Sequence, residues 1–293
     1  MRLVVFDLDG VLVDIDSSWQ LVHRAFGTDN EENFQRYLCG AIDYKEFMRS
    51  DIRLWGRTHI KRIKSVLDKA PIMATAPSLM IELKKREYKT AIISSGISLL
   101  ADRIKNTFGL DHSYANRLLV DEEGWLIGEG EENVSLLNKD IILKKLKEEE
   151  GIDLRQCAAI GDSQFDIPLF REVGLSIAFN AKDEIVKKAA DLVIDGKDLR
   201  KTLPWLTRSD HLVKVESSVE YDNAAKAKAV ARSVLPDNMN TFSDLQIRTW
   251  SEGTTVKIKV LCIDRLETVL ATLDDLLACM QVAERALRAV DSE

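Results

Sequence analysis

Several features that mark particular classes of protein are missing from this sequence. It has four cysteines, and no pair of them shows the C-x-x-C spacing of zinc or redox motifs. Cys157 and Cys262 lie in apolar, strand-like runs, which predicts buried free thiols. This usage of cysteine is typical of a reducing, cytoplasmic environment and argues against a zinc site.

Membrane and nucleic-acid signals are also missing. No apolar run reaches the ~20 residues that span a bilayer, and the chain enters a predicted strand at residue 2, which leaves no room for a signal peptide. The formal net charge is −7, whereas nucleic-acid-binding domains usually carry a basic surface. We therefore expect neither membrane insertion nor direct nucleic-acid binding. With 293 residues, the chain is long enough for two domains.

The stretch Phe6–Val11 carries the strongest functional signal that is present. It continues the apolar run Leu3–Phe6, which is typical of a buried parallel strand. Because residues i and i+2 of a strand point to the same side, Asp7 and Asp9 should lie together at its carboxyl end, where open α/β sheets bind ligands. Two carboxylates can hold Mg²⁺, and one can attack phosphorus. Taken alone, the stretch could equally be a solvated turn.

The order of predicted elements gives the fold class. Up to Leu206, strands alternate with helices, which indicates an α/β domain with a doubly wound parallel sheet. Four helical segments without an intervening strand, between about residues 15 and 75, indicate an inserted helical cap. We assign residues 1–208 to this domain and its cap.

Residues 209–293 have a different pattern and are assigned to a second domain. Their order is strand, helix, strand, strand, helix, which predicts a small α+β domain. In the last helix, an apolar stripe from Leu266 to Leu287 recurs at spacings of three and four. The stripe is longer than a three-stranded sheet should need, so we expect it to form a homodimer surface.

Three more polar clusters follow strands or begin helices in the first domain. Together with Asp7 and Asp9 they supply what phosphoryl transfer needs: a nucleophile, metal ligands, and donors that hold the transferring oxygens. Each alone would more simply be a capped turn, a surface lysine or a turn aspartate. The members are Ser94, Ser95, Gly96, Lys139, Asp162 and Asp166.

In these motifs the chain resembles the haloacid dehalogenase-like phosphatases, and most closely their phosphoserine phosphatase branch. The resemblance covers roughly Met1 to Leu206 and includes the helical insertion, the stretch Tyr114–Leu118 and the motif Gly161–Asp166. It implies Mg²⁺-dependent hydrolysis of a small phosphorylated metabolite through an aspartyl-phosphate intermediate.

The resemblance also implies a role for each site residue. Asp7 is then the nucleophile, and Asp9 is the general acid for the leaving alcohol and afterwards the base for water. Mg²⁺ is held by Asp7, the backbone carbonyl of Asp9, and Asp162, and Asp166 either supports these ligands from behind or is an outer metal ligand. The residues implied for binding the phosphoryl oxygens are Ser94, Ser95, Gly96 and Lys139.

The substrate end of the site departs from the phosphoserine phosphatase pattern. Asp16 occupies the place of the acidic residue that binds the substrate amine in that branch. Where the branch has an arginine for the substrate carboxylate, an ungapped comparison finds Asp51, flanked by the candidates Arg49 and Arg53. Phe165 stands where an asparagine is usual. We therefore predict that phosphoserine is not a highly preferred substrate.

The second domain resembles the small dimerising subunit of the KEOPS complex, which modifies an adenosine in tRNA. The resemblance covers about Asp210–Arg288 and is carried by Ala231–Asn238 and Leu270–Leu277. It implies a homodimer and docking to the KEOPS kinase-like ATPase subunit. A generic dimerisation or regulatory domain is the simpler interpretation. The alternative function is that of a KEOPS-associated scaffold in tRNA threonylcarbamoyladenosine modification, but the intact pair of Asp7 and Asp9 favours an enzyme.

Overall fold

The computed structural model describes residues 1–238 and 244–290 and divides the chain into two compact units, Met1–Leu203 and Pro204–Glu293. The sequence-based domain boundary lies slightly later, after residue 208. Parts of the second predicted domain, residues 239–243 and 291–293, lie outside the described residues. None of the described helices combines the length and the apolar composition that a membrane span requires.

A seven-stranded sheet forms the centre of the first unit. Its strands are β1 (Leu3–Phe6), β2 (Lys89–Ile97), β3 (His112–Val120), β4 (Leu126–Glu131), β5 (Cys157–Gly161), β6 (Leu175–Phe179) and β7 (Leu192–Ile194). They lie in the order β4-β3-β2-β1-β5-β6-β7. All neighbouring pairs are parallel except β3 and β4. This confirms the predicted α/β class with a parallel sheet.

Five helices separate β1 from β2, and the first four lie where the helical cap is predicted. These four are α1 (Ser18–Phe26), α2 (Glu31–Leu38), α3 (Tyr44–Leu54) and α4 (Ile60–Leu67). Their starts follow local capping chemistry, since the Ser17 side chain accepts the Gln20 N–H and the Asp43 side chain accepts the Glu46 N–H. The other helices of this unit are α5 (Ala76–Lys85), α6 (Ser98–Phe108), α7 (Lys139–Glu150), α8 (Ile167–Phe170) and α9 (Glu184–Ala189).

Strand β1 is central in the sheet and is covered on both faces. Leu3 and Val5 belong to a core cluster that includes Leu143 and Leu146 of α7, while Val4 and Phe6 on the opposite face are also fully buried. A continuous apolar run is what a strand buried on both faces requires. The burial fixes the end of β1, and with it the position of the residues that follow.

The second unit contains a three-stranded antiparallel sheet in the order β8-β10-β9. Its elements are α10 (Leu203–Thr207), β8 (Leu212–Glu220), α11 (Ala224–Ser233), α12 (Leu235–Asn238), β9 (Leu245–Glu252), β10 (Thr255–Ile263) and α13 (Leu266–Val290). Val230, Val256 and Met280 share its buried core. The predicted element order holds, with the short helix α12 in addition. Cys157 of the first unit and Cys262 of the second are buried and free, as predicted.

Candidate active site

The polar clusters predicted from the sequence meet at the carboxyl ends of β1, β2 and β5. They surround a cavity of about 250 Å³. The predicted site residues that line it are Asp7, Asp9, Asp16, Ser94, Ser95, Gly96, Lys139 and Asp162. Asp166 is fully buried behind the cavity wall and contacts one of the lining residues. Residues more than 150 positions apart in the chain are therefore joined in one site.

Lys139 links two of the carboxylates. Its Nζ lies 2.7 Å from Asp166 Oδ1 and 3.0 Å from Asp7 Oδ1, and its side chain is almost entirely buried. Burial disfavours the charged lysine, but the two carboxylates outweigh this effect and hold the pKa of Lys139 above its usual value. The lysine therefore stays charged at the base of the cavity.

The remaining negative charge is concentrated. Oxygens of Asp7, Asp162 and Asp166 lie within 4.8 Å of one another. Burial, together with repulsion from neighbouring carboxylates, raises the pKa of Asp7 to about 7 and that of Asp162 to about 8. Hard carboxylate oxygens grouped in this way suit Mg²⁺, which would offset the negative charge that Lys139 alone does not neutralise. The donor set therefore fits the ion that the sequence implied.

Ser18 positions Asp9, and the sequence did not reveal it. Its N–H and O–H both donate to Asp9 Oδ2, at 2.7 and 2.8 Å. Asp9 Oδ1 is buried and has no hydrogen-bond partner within the described part of the chain. Burial raises the pKa of Asp9, which keeps a proton more easily as a result. One oxygen of Asp9 is thus held and the other is left for proton transfer.

Two glycines allow the carboxylates to approach the backbone. Gly10 has φ +79°, and a Cβ there would lie 2.1 Å from Asp162 Oδ2. At Gly96 a Cβ would lie 2.6 Å from Ser18 Oγ and 3.1 Å from Asp9 Oδ2. The Gly96 N–H, expected from the sequence to bind phosphate, donates instead to Ser94 Oγ at 3.1 Å. Since Ser94 Oγ accepts that bond, its own proton remains available to a ligand.

Asp166 shapes the loop after β5. Its Oδ2 accepts the N–H groups of Asp162 and Ser163 and the Ser163 hydroxyl, each at 3.1 Å, while its Oδ1 accepts Lys139. A Cβ at Gly161 would lie 2.3 Å from the Asp166 carboxyl carbon. All these bonds orient other site residues, so Asp166 positions Asp162 and Lys139.

The helical cap supplies an aromatic wall to the cavity. The aromatic lining residues are Trp19, Phe34, Tyr44, Phe47 and Phe165. Trp19 Nε1 and the Tyr44 hydroxyl donate to the Ser95 carbonyl oxygen at 3.0 and 3.1 Å, and Asn116 Nδ2 donates to it at 2.8 Å. These bonds fasten the cap to the end of β2. No role was predicted for these side chains, although Asn116 lies in the stretch Tyr114–Leu118 that carried part of the resemblance.

The substrate-end candidates occupy different places. Asp16 lines the cavity and forms an exposed ion pair with Lys182 at 3.0 Å, which lowers the pKa of Asp16. Arg49 and Arg53, the two arginine candidates beside Asp51, are not among the residues that line the cavity. Both arginines contact Glu129 of β4 instead, because that side of α3 packs against this strand.

Comparisons with known proteins agree with this site. Residues 1–174 match the family model of haloacid dehalogenase-like hydrolases. A phosphoserine phosphatase from Methanocaldococcus jannaschii is 33% identical over 208 residues, which cover 70% of this chain and 97% of that protein. A phosphoserine phosphatase from Archaeoglobus fulgidus is 32% identical over 200 residues, 68% of this chain and 58% of its own length.

A solved structure of a phosphoserine phosphatase, described as a phospho-aspartyl intermediate analogue, superposes with a TM-score of 0.62 at 31% identity, over 70% of this chain and 98% of that one. The family match covers more than half of the chain, and the sheet-end site lies within it. The chain therefore belongs to the haloacid dehalogenase-like hydrolases, as a phosphoric monoester hydrolase similar to the phosphoserine phosphatases.

Proposed function

We propose that the protein is a Mg²⁺-dependent phosphatase that hydrolyses a small phosphomonoester through an aspartyl-phosphate on Asp7. The observation that carries this proposal is the 3.0 Å contact between Asp7 Oδ1 and Lys139 Nζ inside the cavity. A phosphoryl group that reaches Asp7 meets a fixed positive charge there, and Ser94 lines the same cavity. Such preorganised charge is the main means by which proteins accelerate phosphoryl transfer.

The two steps divide between Asp7 and Asp9. An oxygen of Asp7 attacks phosphorus as the bond from phosphorus to the leaving oxygen breaks, and Asp9 gives its proton to that oxygen. Asp9 then takes a proton from water, and the water oxygen displaces Asp7 from phosphorus to release inorganic phosphate. The support for this division is that Ser18 occupies only Asp9 Oδ2, whereas Oδ1 has no partner within the described residues.

The remaining residues hold the metal and the phosphoryl oxygens. Asp7, Asp162 and the Asp9 backbone carbonyl would hold Mg²⁺, which supplies positive charge to the phosphoryl oxygens when it is bound. Lys139 and the Ser94 hydroxyl bind phosphoryl oxygens directly. Of the two roles implied for Asp166, we adopt support of the ligands from behind, because its oxygens accept hydrogen bonds from Lys139 and from the loop that carries Asp162.

A phosphate-release assay on the full chain tests the proposal. Asp7→Asn should abolish turnover, since an amide is a poor nucleophile and a weaker ligand. The matched control is Asp14→Asn, which removes a half-exposed carboxylate that pairs with Lys197 and does not line the cavity. Chelator should stop the wild type and added Mg²⁺ should restore it. Borohydride trapping during turnover should convert Asp7 to homoserine, and metal-independent hydrolysis would contradict the mechanism.

The second unit is proposed to form a homodimer through α13. Leu266, Leu270 and Val282 on this helix each expose more than half of their side-chain surface, which supports an apolar contact between chains. Light scattering should give a dimer for the full chain and a monomer for Leu270→Lys combined with Val282→Lys. Docking to the KEOPS kinase-like ATPase subunit, the alternative role as a KEOPS-associated scaffold, and a cytoplasmic location stay predictions from the sequence.

A further inference from the structure

The cavity that opens onto Asp7 is aromatic and poor in positive charge. Five rings line it, contributed by the cap and by Phe165. Among the described residues that line it, Lys139 is the one cation, and Asp7 and Asp166 already surround its Nζ. A carboxylate on the substrate's leaving group would therefore enter this cavity without a cation to pair with, which is costly for a buried charge.

A chain of hydrogen bonds that begins at the buried carboxyl group of Asp51 orients two polar side chains of the cavity wall. Asp51 is almost fully buried, and its Oδ2 accepts Asn30 Nδ2 at 2.6 Å. His23 Nε2 lies 3.4 Å from the same oxygen. Trp55 Nε1 donates to His23 Nδ1 at 3.1 Å, so the His23 proton is on Nε2, towards Asp51. Asn30 therefore donates a hydrogen bond to Asp51, whereas His23 Nε2 faces the same oxygen without forming a hydrogen bond.

This arrangement fixes the direction of two amides. Because the Asn30 nitrogen faces Asp51, its carbonyl oxygen faces Gln20 and accepts Gln20 Nε2. Gln20 and Asn30 both line the cavity. One N–H of Gln20 is used by Asn30, so Gln20 keeps its carbonyl oxygen as an acceptor and its second N–H as a donor. This part of the wall can therefore accept a hydrogen bond from the leaving group through the Gln20 oxygen, and neither Gln20 nor Asn30 supplies a positive charge for a carboxylate.

On the proposed phosphatase function, we propose that the physiological substrate is a phosphomonoester whose leaving group carries no carboxylate and presents an apolar ring to the cap. The ring packs among the aromatic side chains, and a hydroxyl or amine donor on it reaches Gln20. The volume of about 250 Å³ limits its size, since pockets for drug-sized ligands span roughly 300–1,000 Å³.

Two matched pairs of esters test this directly on the full chain with Mg²⁺. Phenyl phosphate and 4-carboxyphenyl phosphate differ by one carboxylate, as do phosphoethanolamine and phosphoserine. We expect kcat/KM to fall by about 100-fold or more with the carboxylate in the first pair and by at least about 10-fold in the second, as for sites that leave a polar group unpaired. Phenyl phosphate should also exceed phosphoethanolamine.

Failure of the substrate proposal can be distinguished from failure of the phosphatase proposal. If no ester releases phosphate with Mg²⁺, the phosphatase proposal falls and this one falls with it. If phosphoserine matches or exceeds phosphoethanolamine, or the two phenyl esters react equally, the phosphatase proposal stands and the substrate class is overturned.

A gain-of-function substitution tests whether Gln20 contacts the leaving group. Gln20→Arg puts a cation at the cavity wall and should narrow the difference between 4-carboxyphenyl and phenyl phosphate by about 10-fold, the effect of one charge-assisted pair. The control is Gln35→Arg, the same substitution at an exposed position of α2 that does not line the cavity. An unchanged ratio in Gln20→Arg, or an equal change in both variants, overturns the assignment of Gln20 to the leaving group.

Discussion

Gly10 lets the Asp162 carboxylate lie close to the backbone. Replacing Gly10 by alanine should therefore disable the site with little effect on the fold. A Cβ at Gly10 would lie 2.1 Å from Asp162 Oδ2, whereas ordinary contacts of a Cβ are 3.4–4 Å. The Asp162 carboxylate would therefore have to retreat by more than about 1 Å. Mg²⁺ requires nearly ideal octahedral geometry with oxygens at about 2.0–2.1 Å, so a retreat of this size removes Asp162 from its ligands.

The strain of the backbone itself can be measured separately. Gly10 has φ +79° and Gly196 has φ +82°, and a Cβ at Gly196 meets nothing within 4 Å. Both alanine variants should lose about 1–2 kcal/mol of stability, the cost of a left-handed conformation for a residue with a Cβ. Only Gly10→Ala adds the displacement of Asp162. The difference between the two variants isolates that displacement.

The expected result for Gly10→Ala is a fall in kcat/KM of at least about 100-fold, the loss typical of a 1 Å misplacement of a catalytic group. A Mg²⁺ titration of phosphate release should show weakened metal affinity in Gly10→Ala, with Gly196→Ala close to wild type. Urea unfolding should show similar destabilisation in both. Wild-type Mg²⁺ affinity in Gly10→Ala, or equal loss of activity in both variants, would refute the placement of Asp162 beside this glycine.

Two further predictions concern the buried charges. Lys139→Met should lower the free energy of unfolding by about 3–5 kcal/mol, because it leaves buried carboxylates unpaired. The control Lys145→Met, at an exposed position of the same helix, should lower it by less than about 1 kcal/mol. Equal urea midpoints for the two variants would contradict this. Without metal, the free energy of unfolding should fall as the pH rises towards 8. The folded pKa values of Asp7 and Asp162, about 7 and about 8, exceed the ordinary value of 3.8, so the folded chain binds more protons than the unfolded chain in this pH range. Mg²⁺ should reverse the trend, and a stability that rises with pH in the absence of metal would disprove the prediction.

Local patterns in the sequence were sufficient for the sheet-end residues and the cap helices. The apolar run of β1 is buried on both faces, so its end and the two aspartates after it could be located from composition alone. The four helical segments predicted between about residues 15 and 75 correspond to α1–α4, which lie between residues 18 and 67. Helix periodicity and capping act within a few residues, which is why a sequence reports them faithfully.

Contacts between distant segments could not be predicted in this way. The Ser18 hydroxyl, which donates to Asp9, also accepts the Ile97 N–H, 79 residues away, and no role was predicted for Ser18 from the sequence. The direction of Arg49 depends on Glu129, which is 80 residues further along the chain. The sequence alone does not show that α3 packs on β4, so it could not predict that Arg49 would point away from the cavity.

The site combines two supports of different origin. Asp7 and Asp162 follow buried strands of the sheet, whereas Gln20 and Asn30 belong to the cap. Asn30 is oriented by its hydrogen bond to the buried Asp51, and Gln20 by its hydrogen bond to Asn30. On the proposed mechanism, the attack on phosphorus depends on the strand ends and the leaving group contacts the cap. Catalysis and the preference among leaving groups should therefore respond to different substitutions. Changes at Asp7 should alter kcat for every ester alike, and changes at Gln20 should alter the ratio of kcat/KM between esters.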